Sequence, residues 1–164
     1  CKHSIAMGWQ GRVTAQHCRA MELYPENYFR KLVSLLKKAG VGVVSDPHTG
    51  PLAARVKDLV AAGVPVALGQ DDIQDAYYPF GENNMLQIAF LASHLLQLLT
   101  FDDTELLYDM ITTSAARVLG ITGHELVVGG NADLVVLDEE DVYHAIWYHR
   151  APVYVIKNGK VINR

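Results

Sequence analysis

The chain has 164 residues, half of them hydrophobic and one-fifth charged, and its formal net charge at pH 7 is −4. This composition excludes a disordered tail and allows one ordinary globular domain with a sizeable core. Because there is no basic block, and because the longest apolar segment, residues 86–99, is too short and too polar to span a bilayer, we expect neither nucleic acid nor membrane as a partner.

Short apolar strands alternate with longer amphipathic helices over the first three-quarters of the chain. Tyr28, Phe29 and Leu32 recur at helical spacing, and Gly40 follows two lysines where that helix would end. Strands are predicted at 12–15, 41–45 and 64–68, and helices at 25–39, 52–62, 84–99 and 102–120. Strands separated by helices indicate βαβ units and a parallel sheet.

The last part of the chain changes character and predicts a small antiparallel unit. Short strands are expected at 126–128, 132–137 and 153–156, with a short helix at 142–149. Asn158 and Gly159 form the strongest short hairpin signal, directly before Val161 and Ile162. The sequence contains neither an internal repeat nor a low-complexity linker.

These elements together predict an α/β fold. We expect the C-terminal portion of a (β/α)8 TIM-type barrel, with the last three βα units at 1–120 and strands of a small β-sandwich domain at 121–164. Three units make less than half of such a barrel and would leave strand edges exposed. We therefore expect a homo-oligomer or pairing with a missing N-terminal half.

The cysteines and the first residue bear on the origin of the chain. Cys1 and Cys18 are the two cysteines, and they form neither a disulfide framework nor a CxxC metal motif. A reducing cytoplasm is the simplest expectation. The first residue is cysteine instead of methionine, which favours a fragment of a longer protein.

Polar side chains follow each predicted parallel strand, at the end where barrel enzymes carry their chemistry. His17 follows the first strand, as a structural hydrogen-bonding group or as one that orients a hydroxide. Asp71 and Asp72 follow the third. One could ligate a metal and shuttle a proton while the other meets substrate, or the pair could form an Asx turn with a helix cap.

The other histidines are expected to be structural or exposed. His48, which follows the second strand, lies in a Gly/Pro-rich loop, and His94 lies in an apolar helix. Neither HxH nor HExxH occurs in the sequence. One aspartate and one histidine do not fill a tetrahedral site of three protein ligands and water, so this chain alone is not expected to build an ordinary catalytic metal site.

Several motifs, in order along nearly the whole chain, resemble the cytosine deaminases of the amidohydrolase superfamily. Residues 69–81, followed by 84–86, resemble their eighth-strand signature, and residues 13–21 resemble their sixth-strand signature. The tail resembles that shared across the superfamily at 112–120, 130–137 and 155–162. The region around Asp71 is the part that points to the cytosine deaminases.

This resemblance implies a role for each candidate residue. Asp71 would ligate a divalent metal, zinc or iron, and pass on a proton taken from water, while His17 would stabilise the hydroxide and the tetrahedral intermediate. Asp72 would stand beside the substrate, and Tyr77 would line the base pocket. The implied reaction is hydrolysis of cytosine at C4 to uracil and ammonia, as in pyrimidine salvage.

The sequence departs from the family pattern in three places. The first-strand HxH pair, the fifth-strand histidine and a proton-shuttling glutamate would all lie before Cys1. The loop after Pro47 is short, and Tyr77 stands where the family often has tryptophan. The alternatives are therefore a superfamily member that acts on a triazine, a creatinine-like ring or a pterin, or a non-catalytic interaction module.

Overall fold

The computed structural model describes residues 1–46 and 52–163. The described helices are α1 Lys2–Ala6, α2 Glu26–Ala39, α3 Val56–Ala61, α4 Met85–Leu95, α5 Phe101–Ile111, α6 Thr113–Leu119 and α7 Val142–Tyr148. The described strands are β1 Thr14–Gln16, β2 Gly42–Ser45, β3 Val66–Leu68, β4 Leu134–Val136, β5 Tyr154–Lys157 and β6 Lys160–Val161. A short 3-10 helix, Arg19–Leu23, follows β1. Among these helices, none is long and apolar enough to cross a membrane.

The predicted parallel sheet is confirmed, with strand order β1-β2-β3. Thr14 pairs with Gly42 in β2, and Ser45 at the end of β2 pairs with Leu68 at the end of β3. Because the strands run in the same direction and in this register, their carboxyl ends meet at one edge of the sheet. The core of the molecule lies against β2 and β3, whose apolar residues are mostly buried.

Helix α2 shows why local sequence and tertiary contact agree in this region. It buries Phe29, Leu36 and Ala39, and it ends at Gly40, whose φ of 60° lies in the left-handed region. A Cβ at position 40 would come within 2.8 Å of the backbone nitrogen of Gly11. Glycine is therefore required there both by the helix cap and by the close approach of a neighbouring loop.

The prediction of a single helix at 102–120 is wrong, because the helix is interrupted at Thr112. That residue leaves helical geometry, with φ −128° and ψ −95°, and separates α5 from α6. The break lets α6 pack on the parallel sheet, where a Cβ at Gly42 would lie 2.9 Å from a methyl carbon of Val118. Tertiary packing thus overrides a helical pattern that is continuous in the sequence.

Other boundaries also differ from the predictions. The helix predicted at 52–62 is shortened to α3, and α1 was not anticipated. The strand predicted at 126–128 is wrong: Val127 N donates to Glu125 O and Gly130 N donates to Val127 O, so the segment is a turn. Apolar β-branched residues alone do not make a strand without a partner to pair with.

The antiparallel unit at the end of the chain is confirmed as a sheet of order β4-β5-β6. Asn158 and Gly159 have φ of 50° and 74°, as the predicted Asn-Gly hairpin turn requires. The Asp133 carboxylate accepts a hydrogen bond from Asn158 N at 2.8 Å and pairs with Lys157. Helix α7 lies between β4 and β5 in the sequence but packs against α4 and α5, and it contributes Ala145 and Ile146 to the main core. The division of the chain at residue 120 stays a prediction.

Candidate active site

The carboxyl edge of the parallel sheet brings three titratable side chains together. His17 follows β1 directly, Asp46 follows β2 directly, and Asp71 comes three residues after β3. One potential ligand atom from each side chain lies within 4.8 Å of the others. The sheet register, which aligns the strand ends, is the cause of this convergence.

A tight backbone turn presents His17 at this edge. Both His17 and Cys18 have left-handed backbone conformations, with φ of 60° and 55°, which are uncommon for residues other than glycine. His17 N donates to Val44 O at 2.8 Å, and Cys18 N donates to Gln16 O at 2.7 Å. Two consecutive left-handed residues store backbone strain of the kind often found at functional sites.

Asp46 is the most buried member of the cluster, with a side chain 5% exposed. Its Oδ1 lies 2.7 Å from His17 Nδ1, and its Oδ2 accepts from the guanidinium of Arg19. A buried carboxylate is stable when such partners compensate its lost hydration. In the sequence, position alone marks Asp46: it stands directly after a strand, but before a proline, where an ordinary turn residue would also be expected.

Asp71 is the accessible carboxylate of the cluster. Its Oδ2 lies 3.9 Å from His17 Nδ1, its side chain is 38% exposed, and its φ is 57°. No helix begins at this point: α4 begins later, after Asn84, whose side-chain oxygen accepts from Leu86 N at 3.0 Å. The helix-capping alternative for this aspartate pair therefore has no helix to cap.

Asp72 and Tyr77 lie in the loop that leaves this edge. The backbone oxygen of Asp72 accepts from Gln70 Nε2 at 3.2 Å and lies so close to Gly81 that a Cβ there would come within 2.9 Å. Tyr77 is 87% exposed, and its backbone nitrogen donates to Asp75 Oδ1 at 2.8 Å. Asp72 is therefore the sequence neighbour of Asp71 in the cluster, whereas the Tyr77 ring faces solvent.

Two of the other histidines make contacts within their own helices. His94 Nδ1 lies 3.0 Å from Phe90 O, and the two rings on α4 meet in a tilted contact, with centroids 4.6 Å apart and planes at 57°. His144 Nδ1 lies 2.9 Å from Asp141 Oδ1 at the start of α7. These contacts are local to their helices, as expected for structural histidines. His48 lies outside the described residues.

The donor set fits part of a divalent metal site. Carboxylate oxygen and imidazole nitrogen are ligands that zinc and iron accept. Because the Asp46 carboxylate is engaged by His17 and Arg19, Asp71 is the residue of the three best placed to ligate an ion. A catalytic site with three protein ligands would need further donors beyond this cluster.

Comparison with known proteins shows which family this chain belongs to. The profile of the Amidohydrolase family matches residues 2–163. The chain belongs to the amidohydrolase family. The resemblance seen in the sequence is confirmed by solved structures: a 5-methylcytosine deaminase from Klebsiella pneumoniae, liganded with 5-fluorocytosine, is similar with a TM-score of 0.90 and 33% identity, over 99% of this chain and 43% of that one.

Two curated relatives widen the range of related amidohydrolases. The N-isopropylammelide isopropyl amidohydrolase of Pseudomonas sp. (strain ADP) is 35% identical over 160 residues, which covers 97% of this chain and 40% of the relative. The pterin deaminase of Rhizobium rhizogenes is 30% identical, over 96% of this chain and 39% of the relative. This amidohydrolase chain therefore spans about two-fifths of the length of the curated relatives it matches.

Among more distant structures of the same fold, an adenosine deaminase from Xanthomonas campestris was solved with bound zinc. It is 21% identical, with a TM-score of 0.73, over 96% of this chain and 38% of that one. The family includes hydrolytic deaminases, and a divalent metal is found in neighbouring structures.

Proposed function

We propose that this amidohydrolase chain is part of a metal-dependent aminohydrolase that deaminates cytosine to uracil and ammonia. The observation that carries the proposal is the convergence of His17 and Asp71, 3.9 Å apart, at the carboxyl edge of the parallel sheet. Both positions belong to the motifs that resemble cytosine deaminases, and a structure of 5-methylcytosine deaminase superposes over nearly the whole chain.

The proposed roles divide between positioning and proton transfer. Asp71 would hold the metal together with donors outside this cluster; a bound ion supplies Lewis acidity that lowers the pKa of water. Asp71 also accepts the proton that water loses, and His17 stabilises the charge that develops when water adds to C4 of the ring. Asp72 binds the substrate. Asp71 passes the proton on to the departing amino group, so that the C4–N bond breaks and ammonia leaves, while the second hydrogen of the added water ends on a ring nitrogen of uracil. Tyr77 can line the base pocket only if its loop turns inward from its exposed position.

A second candidate keeps the chemistry and changes the ring. The relative with 35% identity is named for N-isopropylammelide, and the relative with 30% identity for pterin. Displacement of an amine from a ring carbon by water requires the same polar groups in each case. The residues that line the pocket would determine which ring is bound, and Tyr77 is one candidate for such a residue.

We also propose that the parallel sheet is the end of a barrel. Within residues 1–46 and 52–163, each of its two outer strands, β1 and β3, is paired on one side only. The unpaired N–H and C=O groups of such strand edges favour pairing with a further strand. The remaining strands of a (β/α)8 barrel, or another copy of the chain, would satisfy them, and the antiparallel sheet would belong to the proposed β-sandwich.

The test uses the complete gene product that carries this sequence, reconstituted with zinc or ferrous iron. We expect ammonia release from cytosine, lost in Asp71→Ala and retained in the control Asp58→Ala, which removes a carboxylate bound to Arg55 on the surface. Amine release from N-isopropylammelide or from pterin, without cytosine turnover, would indicate that one of those rings is the substrate and that cytosine is not. A protein that binds no metal and releases no amine would favour the interaction module.

A further inference from the structure

We propose that Asp46 is a positioning residue of the candidate active site: it holds His17 as the Nδ1–H tautomer and so directs Nε2 to the reacting centre. This inference rests on the proposed function and deepens it. It concerns a residue that acts through His17, at a position that neither the motifs nor the comparisons assign.

The first step in the inference is the charge state of Asp46. Its side chain is almost fully buried, and one oxygen is bound by the guanidinium of Arg19, which is always cationic. A buried carboxylate paired with arginine is favoured in its ionised form. An ionised carboxylate accepts hydrogen bonds and donates none.

The second step is the tautomer of His17. Because Asp46 Oδ1 lies 2.7 Å from His17 Nδ1 and can accept only, Nδ1 must carry the proton of that contact. In the neutral ring Nε2 then has its lone pair free to accept a proton, and in the cation Nε2 becomes a donor. The same bond fixes the orientation of the ring. The His17 side chain is 48% exposed, so it remains accessible to substrate.

The third step is that the backbone holds both partners in place. His17 N donates to Val44 O in β2, and Asp46 lies two residues beyond Val44, directly after that strand. Arg19 comes from the 3-10 helix that begins right after the left-handed turn at His17 and Cys18. One turn thus supplies both groups that bind Asp46, and strand pairing sets their distance.

A competing assignment would make Asp46 a metal ligand, since one of its oxygens lies within 4.8 Å of a potential ligand atom of His17 and of Asp71. An ion bound at Asp46 would compete with Arg19 for the same carboxylate. The two assignments differ in their consequence: loss of a ligand releases metal, whereas loss of a positioning residue leaves metal bound and changes the imidazole.

The first measurement is the tautomer of His17 in the complete gene product labelled with 15N-histidine, with its signals assigned by their loss in His17→Gln. At a pH where the ring is neutral, we expect a proton on Nδ1 and none on Nε2. In Asp46→Ala this preference should be lost, and in Asp46→Asn, which keeps the side-chain shape, it should weaken. An unchanged tautomer in Asp46→Ala would overturn the inference.

The second measurement combines kinetics with metal content. We expect Asp46→Asn to lower kcat by about 10–100-fold, by analogy with the loss seen when the carboxylate partner of a metal-ligating histidine is removed, with KM and bound metal unchanged. Asp58→Asn, which also removes a carboxylate from an Asp–Arg pair, is the matched control and should leave kcat unchanged. Release of metal by Asp46→Asn, or an unchanged kcat, would overturn the inference.

These readouts separate two failures. If the unsubstituted protein releases no amine from any of the three rings, the proposed function fails, but the tautomer measurement still decides whether Asp46 holds His17. If the protein is active and the tautomer does not respond to Asp46→Ala, the proposed function stands and the role of Asp46 falls.

Discussion

The two sheets of the molecule have three strands each and similarly apolar sequences, yet they are buried to different extents. Val43 in β2 is fully buried, whereas Val135 in β4 is 60% exposed. The parallel sheet is covered by helices and holds the polar cluster at its edge, while much of the antiparallel sheet faces solvent in the described residues. Strand hydrophobicity therefore does not tell which sheet forms the core; the helices packed on it do.

The largest expected difference between the two regions is in activity. Asp71→Ala in the complete gene product should lower the proposed deamination by at least about 10²–10⁴-fold, the usual contribution of a general acid–base group, because the proposed metal ligand and proton acceptor would be lost together. Asp133→Ala, an aspartate of the antiparallel region, should leave kcat unchanged. Steady-state ammonia release checks both. Equal losses in the two variants would mean that the site is not confined to the parallel edge.

Two glycines with similar positive φ, 60° at Gly40 and 74° at Gly159, sharpen the comparison. Gly40→Ala should destabilise the fold by about 2–4 kcal/mol, since left-handed strain adds to a contact of 2.8 Å with the Gly11 backbone. Gly159→Ala should cost about 1–2 kcal/mol from strain alone, because the nearest atom, in Ala132, lies at 3.9 Å. Urea unfolding measures both, and equal costs would contradict the close approach at Gly40.

The burial difference itself predicts a smaller effect. Val43→Ala should lower the free energy of unfolding by about 2 kcal/mol, through lost apolar burial and a residual cavity. Val135→Ala, at an exposed strand position, should stay within about 0.5 kcal/mol. Denaturant midpoints at constant slope are the measurement. A large cost at Val135 would show that another part of the protein covers the antiparallel sheet.

The smallest expected effect is a pH dependence in the antiparallel region. The backbone N–H of Asn158, and then Lys157, hold the pKa of Asp133 below its usual value. A carboxyl with a lowered folded-state pKa adds stability above its unfolded pKa, about 3.9, and that stability is lost as the pH falls through the folded value. Asp133→Asn should therefore flatten the acid limb of the stability profile below about pH 4. An unchanged acid limb would contradict the role of this carboxylate.

Much of the site could be anticipated because parallel strands end at one edge. That rule places His17 and Asp71 together, and the structure finds them 3.9 Å apart. Asp46 could not be singled out in the same way. Its importance depends on burial and on contacts with His17 and Arg19, residues 29 and 27 positions away in the chain. Tyr77 illustrates the opposite case, since a motif position does not determine which way a loop side chain faces.

The sequence by itself determined the α/β class, the parallel direction of the first three strands, the Asn-Gly hairpin and the family. These depend on local periodicity, turn chemistry and motif spacing, all of which are short-range properties. Only the tertiary structure decided the break at Thr112, the turn at 126–128 and the contact of Asp46 with His17. The break and the Asp46 contact depend on which distant residues pack there, and the turn forms because residues 126–128 have no strand to pair with. None of these leaves a periodic trace in the chain.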